Sequence, residues 1–340
     1  MMITTHYLKR APKLLKPVRR AGPVPVVSSS TEIRQPKGVV GIIAPWNFPF
    51  ATGISDAIPA LMAGNGVVLK PDNKTALSPL YGVELLYEAG LPDGLFQVVC
   101  GEGAVAGPPV IDHANYVMFT GSTETGRLIG ERAGRNLIGC CLELGGKNPM
   151  VVMPDADLDE LVPGALDAVF RNTGQVCMHV ERMYVPDGLY DEFRSRFVDA
   201  VRALRIGASY DYEPQVGSLI SVDHKDRVAA HVEDAREKGA TVLCGGERLT
   251  SGAYAKGFFS SPAVVSVLLN SRIPAEIVGE DGGRQTLRVR CSDLEGTTTA
   301  FNLRCDLDPA LISPTTSLYV VRRRGTRALA PVALPLSLPR

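Results

Sequence analysis

The chain has 340 residues, 45% of them hydrophobic and 21% charged, with 36 Lys+Arg against 36 Asp+Glu. That length suffices for two domains with a substantial core, and zero formal net charge excludes a bulk electrostatic claim on nucleic acid or an acidic membrane. No apolar run is long enough to span a bilayer, and seven scattered cysteines, with neither a Cys-x-x-Cys nor a His cluster, make neither a disulfide framework nor a zinc site.

Residues 1–37 are basic at first (Lys9, Arg10, Lys13, Lys16, Arg19, Arg20) and then rich in Pro and Ser. They carry no apolar signal-peptide core and read as an arm or connector; a cytoplasmic location is expected. From residue 38 the apolar runs become regular. Val39–Ile43 reads as a strand, residues 51–63 as one apolar helix and residues 67–70 as a second strand. A helix over 78–89 opens on a capping serine, strands follow at 96–100 and 116–119, and a helix runs from Ser122 to about Ala133. Strand, helix, strand at this spacing predicts a parallel sheet with helices on both faces, whose ligands bind beyond the carboxyl ends of the strands. Past residue 268 the composition changes: 271–340 holds ten arginines and no lysine.

The segments with chemistry in them fall at strand ends. Asn47, between Pro45 and Pro49, offers a side-chain amide to a developing oxyanion, although an ordinary Asx turn uses the same residues. Lys70 ends a strand and suits a ribose hydroxyl or phosphate, or is simply solvated there. The run from Thr120 to Gly126 caps a helix directly after a strand, leaving backbone N–H groups and a positive dipole end for a pyrophosphate. Gly101-Glu102-Gly103 with Gly107 lacks the spacing of a dinucleotide fingerprint and reads as a plain turn. Glu143 lies between leucines before Gly145-Gly146, and Cys177 ends a loop containing Gly174. A carboxyl raised by apolar surroundings serves as a base and a thiolate attacks carbonyl carbon. Alone, Cys177 fits a buried inert thiol better, and Glu143 fits a structural carboxylate equally well.

Five segments, PWNFP, GNGVVLKP, FTGSTETG, LELGGKNP and NTGQVC, stand in one order between Gly38 and Gly246. In that order and spacing they resemble the aldehyde dehydrogenase superfamily, most closely its NADP-dependent succinate-semialdehyde dehydrogenases. The resemblance implies an α/β fold: a doubly wound parallel-sheet cofactor domain plus an α/β catalytic domain, both incomplete here. It implies that Cys177 is the nucleophile, forming a thiohemiacetal and then a thioester. Glu143 would activate the hydrolytic water, and Asn47 would hold the oxyanion. Ile43, Trp46, Lys70, Asn73 and Leu144 would line the cofactor cleft, with Gly121, Ser122, Thr123, Glu124, Thr125 and Gly126 by the pyrophosphate. NAD-preferring members carry a glutamate where this chain has Asn73, so NADP is favoured with NAD possible; Asp72 alongside cuts the other way. Arg171 matches an arginine that holds the distal carboxylate of succinate semialdehyde, or is a surface arginine near a helix end. A second such arginine falls at Ser55 here, and His179 is read as structural.

Family members are longer, and the resemblance ends near Val267. Expected regions are therefore 1–37 (basic arm, with residues 7–20 like the last helix of a longer N-terminal part), 38–145 (dinucleotide binding), 146–267 (catalytic) and 268–340. This last stretch reads as a frameshift product without packed structure, or as an unfamiliar domain. The family's Glu-x-Phe-Gly-Pro segment and its closing strand, through which members form homo-oligomers, do not occur in the sequence. Two functions are carried forward. One is oxidation of a short semialdehyde, succinate semialdehyde favoured, with a small aldehyde as the only ligand besides NAD(P) and neither nucleic acid nor membrane as partner. The other is a catalytically impaired remnant that at most binds cofactor. A third, an interaction module using the basic arm, is explained better by a solvated helix face.

Overall fold

The computed structural model describes residues 2–24, 28–266, 275–281, 284–292, 298–304, 317–321 and 332–333. The chain divides into two compact units, Met1–Gly145 and Gly146–Arg340.

The first unit begins with α1 (Met2–Leu15) and an antiparallel pair, β1 (Val18–Ala21) with β2 (Ser29–Glu32). The expected arm thus carries its own secondary structure, and the helix stops at residue 15 rather than near 20. There follow β3 (Val39–Ile43), α2 (Pro49–Ser55), α3 (Ala57–Met62), β4 (Gly66–Lys70), α4 (Leu77–Glu88), β5 (Phe96–Val98), α5 (Gly103–Asp112), β6 (Tyr116–Thr120), α6 (Thr123–Arg135) and β7 (Gly139–Glu143). The five strands β3 to β7 are parallel in the order β5-β4-β3-β6-β7. Winding runs outward in both directions from β3, so the topological switch point lies between β3 and β6, where such sheets bind ligands.

Successive strand side chains face opposite layers, and three residues in a row, Val40 to Ile42, are buried because both faces of the sheet are covered. Val40, Ile42, Val67, Leu69 and Phe96 form one apolar layer with Ala57 and Val83 from the helices. Val117 and Phe119 join Ile111, Ala114 and Ile129 in another. Two local expectations change. The predicted helix over 51–63 is two helices broken at Asp56: Pro59 has no N–H to give the Ser55 carbonyl, and its ring crowds that turn. Ser78 does not cap α4; the N-cap is Ala76, without a side-chain hydrogen bond.

The second unit contains β8 (Asn148–Val152), α7 (Leu158–Phe170), β9 (Val180–Tyr184), α8 (Asp187–Arg202), α9 (Val222–Glu237), β10 (Thr241–Cys244), β11 (Arg248–Leu249), β12 (Phe259–Ser260) and β13 (Val264–Ser266). Its core joins Met150, Val152 and Val180 to Leu161 and Ala165 of α7 and to Phe193, Phe197 and Val201 of α8. Further on come β14 (Ala275–Asp281), β15 (Arg284–Ser292) and β16 (Thr298–Arg304), an antiparallel three-stranded sheet. β17 (Ser317–Val321) runs parallel to β8 and pairs with β18 (Val332–Ala333). The stretch expected to lack structure is therefore partly strand; its remaining residues lie outside the described ones.

Candidate active site

In the first unit the sequence-predicted residues gather along one edge, the carboxyl ends of β3, β4, β6 and β7. Ala44 N–H donates to the Lys70 carbonyl at 3.0 Å, tying the loop after β3 to the end of β4. That loop carries Trp46 and Asn47, both half-buried like Ile43 before them. Phe48 N–H donates to Asn47 Oδ1 at 3.1 Å; Pro49, two residues past Asn47, has no N–H, so the ordinary Asx turn is not formed and Pro49 instead opens α2.

Lys70 is 5% exposed, and no carboxylate pairs with it among the described residues. An ammonium this far out of water without an anionic partner is costly, which suits a bound anion. Asn73 donates from Nδ2 to Glu102 Oε1 at 2.7 Å. After β6, Ser122 is the N-cap of the 13-residue α6; its Oγ accepts from Thr125 N–H at 3.2 Å and donates to Thr125 Oγ1 at 2.9 Å. Thr123 and Glu124 complete the first turn. Gly121 N–H donates to the Glu143 carbonyl at 3.0 Å, coupling this turn to the end of β7. A Cβ on Gly126 would lie 2.4 Å from Leu144 Cδ2, so a larger residue there would make the Leu144 side chain move. A helix N-terminus capped by Ser122 and a buried lysine without a carboxylate partner among the described residues, set either side of the switch point, have the chemistry that suits the phosphates and ribose of a dinucleotide.

Burial raises Glu143 above the usual carboxylate range. Asp56, at the break between α2 and α3, is pushed up to about 6, first by burial and then by the charge of Glu143. Cys141 is raised as well, by burial first and then by Glu143, Asp56 and Cys140. The apolar neighbours of Glu143 signalled its shift; Asp56 gave no local sign, since only the fold buries it and brings the charge of Glu143 to bear on it.

In the second unit, the loop leading to Cys177 has an uncommon backbone. Asn172 (φ 51°), Thr173 (φ 60°) and Gly174 (φ 72°) are left-handed in succession. For a β-branched residue that conformation is strained and persists only when its surroundings dictate it. Here they do. Gln175 N–H donates to Asn172 O at 3.0 Å, Thr173 Oγ1 accepts from Gly217 N–H at 3.0 Å, and Gln175 Oε1 accepts from Ile220 N–H at 2.9 Å. On the far side, buried Asn148 donates from Nδ2 to the carbonyls of Cys177 (2.9 Å) and His179 (3.0 Å). Cys177 itself is exposed. His179 Nδ1 lies 2.5 Å from the Val176 carbonyl, so that nitrogen carries the proton and the ring braces the loop. Arg171, at the C-cap of α7, pairs in the open with Asp167 one turn back.

Among the described residues no group of three or more His, Cys, Asp or Glu is placed to hold a metal ion, and no helix is long and apolar enough to cross a membrane.

A doubly wound parallel sheet, with Lys70 and the Ser122-capped turn at the carboxyl ends of its strands, stands in one chain with an exposed cysteine on a braced loop; the class is that of an α/β protein. The model of the aldehyde dehydrogenase family matches residues 4–277, and the chain belongs to that family. The match reaches further both ways than the sequence motifs do, taking in most of α1 and the first residues of β14. A Mycolicibacterium smegmatis protein named "Putative succinate-semialdehyde dehydrogenase" (NADP+) is 50% identical over 246 residues, 72% of this chain and 48% of that one. Phenylacetaldehyde dehydrogenase of Pseudomonas fluorescens is 41% identical over 71% of this chain and 48% of its own. A Mycobacterium tuberculosis aldehyde dehydrogenase solved in complex with NAD+ superposes with a TM-score of 0.73 at 34% identity, covering 79% of this chain and 55% of that one. The chain thus spans about half the length of the relatives it matches.

Proposed function

We propose that the protein oxidises a short semialdehyde, succinate semialdehyde favoured, to its acid with NADP, and accepts NAD less well. The observation that carries the reading is Cys177: exposed, at the end of a left-handed loop cross-braced by Gly217, Ile220 and Asn148. Such bracing makes sense for a nucleophile that must meet a carbonyl in one orientation. Cys177 Sγ bonds to the aldehyde carbon, and the Asn47 amide, with the Cys177 backbone N–H, steadies the negative oxygen. A nicotinamide bound in the cleft would supply the hydride acceptor, and loss of that hydride would leave the acyl group on Cys177 as a thioester. Lys70 binds the adenosine ribose or its phosphate, the Ser122-capped turn binds the pyrophosphate, and Ile43, Trp46 and Leu144 bound the cleft. Glu143, poised by burial, takes a proton from the water that cleaves the thioester, returning Cys177 as thiolate. The named relatives support the succinic substrate. The pairing of Arg171 with Asp167 and the kinship to a phenylacetaldehyde enzyme leave the distal group as the part to be tested.

The test compares succinate semialdehyde with phenylacetaldehyde, under NADP and NAD, for the unaltered protein and Cys177→Ala. Turnover of succinate semialdehyde with NADP that disappears in Cys177→Ala is the expected result. Equal background rates in both proteins would overturn the enzyme reading, and nucleotide binding without turnover would support a binding remnant. Preference for phenylacetaldehyde would overturn the choice of substrate alone.

A further inference from the structure

We propose that Glu102 is the residue that discriminates between a ribose 2′-hydroxyl and a 2′-phosphate in this chain. The proposal rests on the reading of the first unit as a dinucleotide site and goes beyond it by naming the group that sets nucleotide choice.

β4 and β5 are parallel neighbours with Leu69 opposite Val98, and Val99 N–H donates to the Leu69 carbonyl at 2.8 Å. The loops leaving their carboxyl ends therefore start side by side. One carries Lys70 and Asn73, and the other ends at Glu102, the N-cap residue of α5. Glu102 at the N-cap could accept from the N–H groups of its own first turn, a use commoner for Asp, Asn, Ser and Thr. It makes no such bond, and its backbone carbonyl alone accepts from Val105 and Ala106. Its side chain instead crosses to the neighbouring loop, where Asn73 Nδ2 donates to Oε1 at 2.7 Å. No cation pairs with Glu102 among the described residues.

The consequence is electrostatic. Asn73 is neutral and by itself leaves room for a 2′-phosphate, but its amide fixes a full negative charge next to it, on the loop beside the strand that ends in Lys70. A carboxylate there accepts from a 2′-hydroxyl and repels a 2′-phosphate, which carries between one and two negative charges near neutral pH. Lys70 attracts both ligands. Asn73 and Glu102 together thus hold back a preference for NADP that Asn73 alone would allow.

Adenosine 2′,5′-bisphosphate and 5′-AMP differ only in the 2′-phosphate, and their affinities are read by titration calorimetry on the full chain without any turnover. In Glu102→Gln, which keeps an acceptor but removes the charge, the bisphosphate should tighten relative to 5′-AMP by about tenfold. Asn73→Ala, which frees the carboxylate to move away, should shift the ratio the same way by less. Unfolding curves matching those of the parent establish that both variants are folded. An unchanged ratio in folded Glu102→Gln overturns the proposal while leaving the site reading intact. Failure of the unaltered protein to bind either nucleotide overturns the site reading, and this proposal with it.

Discussion

Asn148 holds the Cys177 loop by its carbonyl: Nδ2 donates to Cys177 O at 2.9 Å, with the other hydrogen to His179 O at 3.0 Å. Asn148 is 3% exposed, so truncating it leaves a buried gap and removes both bonds to the loop. Asn148→Ala should therefore cost about 2 kcal/mol of stability in urea unfolding, the net contribution of the two hydrogen bonds it removes. Asn148→Asp should be no better, because a carboxylate faces two carbonyl oxygens. A loss below about 0.5 kcal/mol would mean the bonds do not hold the loop.

Thr173 tests the other brace. Thr173→Val keeps the β-branched shape and the left-handed strain but removes the hydroxyl that accepts from Gly217 N–H. The expected destabilisation is about 1–2 kcal/mol, with aldehyde turnover lowered more than nucleotide affinity. Turnover falling in step with nucleotide affinity would show that the loop has no special part in the chemistry.

Asp56 gives the first unit a pH dependence whose sign is opposite to that of a salt-bridged acid. Its folded-state pKa is raised from 3.8 to about 6, so between these values the folded protein holds a proton that the unfolded chain has released. Stability therefore falls as pH rises through that window, by at most about 3 kcal/mol, and the loss is complete above it. Asp56→Asn should flatten this slope and stabilise the protein at neutral pH. Urea unfolding across the window checks it; an unchanged slope in the variant would place the titration elsewhere.

Lys70 carries the opposite prediction for stability and for binding. Lys70→Met removes a buried, unpaired ammonium, so unfolding stability should hold or rise. Affinity for 5′-AMP should meanwhile fall about tenfold or more. A stability loss with unchanged affinity would make Lys70 a packing residue only.

The sequence made some of this legible and hid the rest for identifiable reasons. Val39–Ile43 and Tyr116–Thr120 are read directly, because β-branched and aromatic runs of that length bounded by turn residues favour buried strands. The capping role of Ser122 is a local signal and is read correctly. Pro59 also was a local signal, but the apolar run around it outweighed the break at Asp56. The bonds of Asn148 and Glu102 carry no local signal, and the turn at Gly101-Glu102-Gly103 reads as plain, because each side chain acts on a partner 29 residues away. Left-handed Thr173 runs against its propensity and follows only from the brace to Gly217.

The central claim, that Cys177 takes the acyl group and Glu143 directs its hydrolysis, is tested most directly by trapping the thioester. Glu143→Gln, incubated with succinate semialdehyde and NADP and then digested, is read by mass spectrometry of its cysteine-containing peptides. The account predicts a succinyl group on the peptide bearing Cys177, with one reduced nicotinamide released per acylated chain. An unmodified Cys177 peptide, or acylation at exposed Cys100 instead, would contradict it.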